Sequence, residues 1–368
     1  MTTSENTPPQ PTNVPKFNDT MPTPTGSVSK TTLPPKKVGW QKFRPDTFLL
    51  LILATAALAT VLPVTGVGIT VVTWAQKIAV AILFFLYGVR IDRASALAGL
   101  RHWRLHVLIL GFTYIIFPLL ALTLVVLRGT LDPDLYRGLL WVAIVPGTVQ
   151  SAINFTSIAK GNVAGAVVSS SISNLLGVLF TPLLAMALMS TTGLHISASS
   201  IIDIAAQVLA PFIVGQLLRP WCAEFVTRHK RLKYFDQLTI CMMVYIAFSA
   251  GVREGIWTRT SIPAVLLLVA VCSTLLLGMY ALTWFVAGKL GFNRRDQIAI
   301  QFCGTKKSLT TGVPMAAVLF PATSVGFIVL PLMIYHQLQI MASSMLASRY
   351  AKEPIEWFGD ASVNDITY

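Results

Sequence analysis

The sequence predicts an all-α polytopic membrane protein of ten transmembrane helices in two inverted five-helix repeats, and three observations carry that reading. Only 12% of its 368 residues are charged and 54% are hydrophobic, against about 25% charge in a soluble domain. Apolar runs near the length of about 20 residues that a helix needs to cross the bilayer core recur along the chain. Short motifs return, in order, five runs later. The net charge of +13 then reads as loop charge facing cytoplasm and anionic lipid, not as a nucleic-acid surface. Cys222, Cys241, Cys272 and Cys303 are scattered, with neither disulfide nor metal spacing.

Residues 1–45 are rich in Pro, Thr and Ser and poor in large apolar side chains. They are expected to form a disordered cytoplasmic tail, with Lys36, Lys37, Lys42 and Arg44 as a basic anchor beside the membrane. No secretory signal opens the chain, so the first span directs insertion. Ten spans follow at about 46–64, 71–91, 104–127, 137–158, 163–189, 200–218, 236–252, 262–288, 296–320 and 323–348. They make one transporter-like domain, 46–349, whose halves are about 46–189 and 200–348. Residues 350–368 form a second cytoplasmic tail.

Loop charge supports the count. Connections after even-numbered spans are basic: Arg90, Arg93, Arg101 and Arg104 after the second, Lys160 after the fourth, Arg219, Arg228, Lys230, Arg231 and Lys233 after the sixth, and Lys289, Arg294 and Arg295 after the eighth. The others are close to neutral, except that Arg253 and Arg259 outweigh Glu254 after the seventh. The positive-inside rule therefore places both termini in the cytoplasm of a multi-pass protein of the cell membrane (a bacterial inner or plasma membrane).

Internal repetition points to a site. "YGVRID" at 87–92 answers "AGVREG" at 250–255, 163 positions on, and "GTVQS" at 147–151 answers "GTKKS" at 304–308, 157 positions on. A displacement of five spans reverses direction through the membrane. Lys306 lies ten residues after Asp296, or about 15 Å into the span, which is near the midplane. Pro146, Gly147 and Gly304 are the expected helix breaks, because freed backbone groups in lipid must face protein or a watery cavity. Snorkelling of the lysines to the surface is the alternative, and about 15 Å is a long reach for it.

Polar residues gather around these breaks. Thr148, Gln150, Ser151, Asn154, Thr305 and Ser308 line them if the two face each other. Ser169, Ser170, Ser171, Ser173 and Asn174 make a polar patch in the fifth span, readable also as helix–helix bonding. His336, Gln337 and Gln339 interrupt the apolar tenth span. No Asp or Glu falls in the middle of any span. Paired carboxylates, a His/Cys metal cluster and a Ser-His-Asp arrangement are all missing at membrane depth, so an enzyme is not expected.

"VPGTVQSAINFTSIAKGN" (145–162), "FCGTKKSLTTGVPMA" (302–316) and "YHQLQ" (335–339), in this order of spans, resemble the bile acid:sodium symporter superfamily, and in particular its SBF-like branch. That branch includes bacterial proteins and eukaryotic proteins linked to calcium homeostasis. The resemblance covers about 45–350. It implies a panel domain and a core domain meeting at a cavity, with broken fourth and ninth helices crossing in the core. His336 and Gln337 match, with one change, a His-Asn pair near the substrate cavity. Sodium-coupled members carry a glutamate and a glutamine in the ninth-helix break and an asparagine after the serine of the fourth. Phe302, Lys306 and Ala152 stand at those places here, while Ser151 matches the serine and Asn154 comes three residues after it.

The expected function is secondary transport, symporter-like, of a small organic anion. The binding residues would be Thr148, Gln150, Ser151, Asn154, Ser170, Asn174, Thr305, Lys306, Lys307, Ser308, His336 and Gln337. Lys306 or Lys307 would replace the bound cation by hydrogen-bonding freed carbonyls, and either is a candidate proton carrier. No cofactor is expected, with sodium an open alternative. The expected partners are an anionic small molecule and the lipid bilayer, in a monomer or homodimer. The other function class is a membrane regulator of calcium or envelope homeostasis that transports nothing itself.

Overall fold

The computed structural model describes residues 47–90, 102–190, 198–229, 231–253, 255 and 260–353. The expected tail at 1–45 lies outside them, as do 354–368, the loop arginines Arg93 and Arg101, and Lys230. Among the described residues there are helices and one isolated bridge, between Arg128 and Leu131, but no strand.

Twelve helices are numbered here: α1 (Thr47–Val61), α2 (Val67–Arg90), α3 (Trp103–Leu127), α4 (Pro133–Ile144), α5 (Val149–Ile158), α6 (Val163–Ser190), α7 (Ala198–Arg228), α8 (Leu232–Arg253), α9 (Ile262–Lys289), α10 (Arg294–Thr305), α11 (Leu309–Leu319) and α12 (Ala322–Tyr350). Local chemistry starts several of them. The Asp132 side chain accepts from the Asp134 amide ahead of Pro133, Asn293 does the same for the Asp296 amide, and Ser308 for the Thr311 amide.

Among the described residues, α2, α3, α6, α8, α9 and α12 are long and apolar enough to cross a membrane, and α4 with α5, bent by 59°, makes a seventh such span. The chain is thus a polytopic membrane protein. Helix α1 is apolar but short. Helix α7 runs well past the expected end at 218, through Pro220 to Arg228, so Arg219 and Arg228 sit on a helix and not in a loop. Helix α12 reaches Tyr350, and Glu353 beyond it pairs with Arg294, so the helical body extends to that point.

Two groups of helices can be told apart by their packing. Helix α2 packs on α7 and α8, and α1 on α8. The α2–α7 contact is close because a Cβ on Gly88 would lie 2.2 Å from the Phe212 carbonyl oxygen, and one on Gly215 would lie 2.2 Å from that of Phe85. In the other group α10 lies against α3, α5, α6 and α9, while α12 lies against α4, α5, α9 and α11. The two groups are joined where α7 and α8 touch α11, where α8 packs along α12, and where α6 meets α7.

Candidate functional site

Two short interruptions separate successive helices of the core: 145–148, between α4 and α5, and 306–308, between α10 and α11. Each interruption strips carbonyls and amides of their helical partners, and in a membrane interior these must be met inside the protein. The first break is satisfied carbonyl by carbonyl. Lys307 Nζ donates to Ala143 O at 2.7 Å and Val145 O at 3.1 Å. Thr181 donates to Ile144 O at 3.0 Å, the Ser308 amide to Pro146 O at 2.8 Å, and Asn174 Nδ2 to Gly147 O at 2.9 Å.

The third donor of the Lys307 ammonium goes to Thr113 O, at 3.1 Å. That carbonyl is free for a local reason. Residues 112–116 form a π turn in which the Phe117 amide reaches back to Phe112 O. The next donor in that register would come from Pro118, which has no N–H. An ammonium carries three donors, and all three of Lys307 are spent on backbone oxygen, with the Phe117 ring 4.3 Å away.

Lys306, equally buried, is held differently. Its ammonium bonds to Ser343 Oγ and faces the rings of Phe155, at 4.6 Å, and Phe302, at 5.8 Å. Ser343 in turn meets the Tyr280 hydroxyl at 2.6 Å. Phe155 belongs to α5, so each lysine of the second break reaches back to the helices of the first.

The second break is closed from α12. Gln339 accepts from the Lys307 amide at 2.8 Å and donates to the Lys307 carbonyl at 2.7 Å, and the Tyr335 hydroxyl donates to Thr305 O at 2.8 Å. His336 Nδ1 lies 3.0 Å from Gln339 Nε2. Thr311 donates to Asn174 Oδ1 at 3.1 Å, so Asn174 bridges both breaks.

The expected site residues thus divide. Pro146, Gly147, Asn174, Lys306, Lys307 and Ser308 come together at the two breaks, and His336 reaches them through Gln339. Thr148 pairs with Ser151. Ser170 contacts Cys303 Sγ at 3.7 Å, while Thr305 turns its hydroxyl back onto Gln301 O of its own helix. Gln150 and Asn154 are exposed on one side of α5. Gln337 keeps a buried Oε1 with no partner among the described residues. Gly304 is not a break: α10 continues to Thr305. Its lack of a side chain serves packing, since a Cβ there would come within 3.3 Å of Phe112 in the π turn.

Sequence reasoning missed Thr113, Thr181, Tyr280, Thr311, Tyr335 and Ser343, and passed over Gln339 in favour of Gln337. A polar residue at every fourth position, 335, 339 and 343, was the available signal in α12, because that spacing puts all three on one face.

Comparison with known proteins identifies the family. The family model of the SBF-like CPA transporter family matches residues 46–352. An uncharacterized protein of Pseudomonas aeruginosa is 47% identical over 84% of this chain and 94% of its own length. A protein of Escherichia coli named "Putative symporter YfeH" is 41% identical over 84% of this chain and 93% of its own. The sodium/bile acid cotransporter 7 of Danio rerio is 31% identical over 73% of this chain and 82% of its own. The family is one of transporters rather than enzymes, and the expectation of the SBF-like branch stands. On the match over residues 46–352, this chain is a member of the SBF-like CPA transporter family.

Proposed function

We propose that the protein is a secondary transporter of a small organic anion that works by alternating access, with lysines standing where sodium-coupled relatives hold their ions. The carrying observation is the Lys307 ammonium, bound to Thr113 O, Ala143 O and Val145 O between two broken helices. Such a cluster of freed carbonyls is the kind of oxygen set that would coordinate a buried cation. Here it is filled by a covalently attached one. A sodium ion added beside two buried ammonium groups would meet strong repulsion, so these residues do not fit a bound sodium.

The order of elements supports ten spans in two inverted repeats. Helix, helix, long helix, broken pair and long helix run from α1 to α6 and again from α7 to α12. On this reading α1, α2, α7 and α8 form the panel and the rest the core, with the breaks crossing at its centre. The helices α5 and α11 begin at the breaks, and their N-terminal ends add positive potential to that of the lysines. This favours an anion as substrate.

Exposure supports the cavity. On α5, Gln150, Asn154, Ser157 and Ile158 are exposed, whereas on α11 only Thr310 is. Exposed amides at membrane depth need water, so the α5 side faces the open vestibule, toward the loop holding Lys160. By the charge rule that side is the cytoplasm of the cell membrane, where both termini lie. The amides of Gln150 and Asn154 would contact the anion.

Uptake of radiolabelled organic anions, screened as a panel in proteoliposomes, tests the reading. Wild-type protein should accumulate at least one, and Gln150→Ala and Asn154→Ala should lower that uptake without lowering thermal stability. Uptake indistinguishable from empty liposomes across the panel would favour a regulator that moves no solute.

A further inference from the structure

One hydrogen bond between the two helix groups has an unusual acceptor. The Tyr87 hydroxyl, near the end of α2, donates to the Thr310 carbonyl in the first turn of α11 at 3.3 Å. In a regular helix that carbonyl would accept the amide of residue 314. Residue 314 is proline, inside α11, and has no N–H to give. The proline therefore bares a carbonyl at the one exposed position of α11, and a phenol from the other group of helices fills it.

The donor is held in place. The Tyr87 ring stands edge-on to Phe84, with centroids 5.8 Å apart. Three residues later Arg90 pairs with Asp236 of α8 and donates to Leu232 O at 3.4 Å. The end of α2 is thereby tied to α8, and the phenol is presented to the core from a braced helix end.

The repeat-related positions hold no such pair. The displacement of 163 that relates 87–92 to 250–255 takes Tyr87 to Ala250. Matching the N-caps Thr148 and Ser308 takes Thr310 to Gln150 and Pro314 to Asn154. Neither a phenol nor a proline stands there. If the halves exchange contacts when the cavity opens to the other side, this bond has no counterpart.

We propose that Tyr87 and Pro314 form a one-sided latch that favours the conformation seen here over its repeat-exchanged alternative. The proposal rests on the alternating-access reading above. The bond is longer than the usual 2.7–2.8 Å of an O–H···O bond, which suits a contact that must release in every cycle.

Pulsed electron–electron spin resonance on the full chain in lipid nanodiscs tests it. Nitroxides would be placed by Ile78→Cys on α2 and Leu277→Cys on α9, both exposed, in a Cys222→Ser background. Tyr87→Phe removes the donor and keeps the ring, while Pro314→Ala gives Thr310 its own helical donor. Each should move the ratio of the two inter-label distance populations away from the conformation seen here by about threefold or more. An unchanged ratio in Tyr87→Phe, or in Pro314→Ala should the former not fold, overturns the latch alone. A single distance in every protein overturns both the latch and the alternating-access reading.

Discussion

Lys306 and Lys307 are neighbours in sequence with opposite surroundings, and their substitution should separate them. Lys307→Gln strands three backbone carbonyls that now accept from one ammonium, at about 1–3 kcal/mol for each unsatisfied group. Lys306→Gln loses one hydroxyl partner and two aromatic contacts. Thermal unfolding of the purified protein should therefore show the larger loss for Lys307→Gln, and an equal or reversed order would contradict the assignment. Lys306→Arg should impair function nearly as much as Lys306→Gln, because a planar guanidinium does not fit a space built around a compact ammonium. The burial of these lysines was legible in the sequence, since ten residues of helix separate Lys306 from Asp296. Their partners were not. Ser343 stands 37 positions from Lys306 and Thr113 stands 194 from Lys307, and a π turn leaves no mark in a hydropathy pattern.

Among the elements, the contact of α2 with α7 depends on Gly88 and Gly215 approaching each other's backbone. Gly215→Leu should push these helices apart and lower stability by about 1–3 kcal/mol, as read by thermal unfolding. Gly288→Leu, at a position with open space around it, is the control that should change little. The elements were mostly visible as apolar runs, and Pro146 marked the first break correctly. Gly304 misled because the resemblance of "GTVQS" to "GTKKS" is three residues out of step with the helices: α5 follows Thr148 and α11 follows Ser308. The length of α7 was hidden by Arg219 and Pro220. Both read as loop signals, yet a proline within a membrane helix is tolerated where neighbours meet the freed carbonyl.

At the scale of the whole molecule, the proposed two halves of opposite direction rest on loop charge and on the order of elements. Labelling of single cysteines in a Cys222→Ser background should reach Asp132→Cys from outside the cell and Lys230→Cys from inside. Labelling of Lys230→Cys from outside would overturn the inverted arrangement. The proposed replacement of bound cations by Lys306 and Lys307 is probed most directly by sodium itself. Thermal unfolding of the purified wild-type protein should be the same in sodium, potassium and choline chloride at constant ionic strength. A saturable rise in unfolding temperature with sodium alone would contradict the account, because it would show a sodium site that the two lysines have not replaced.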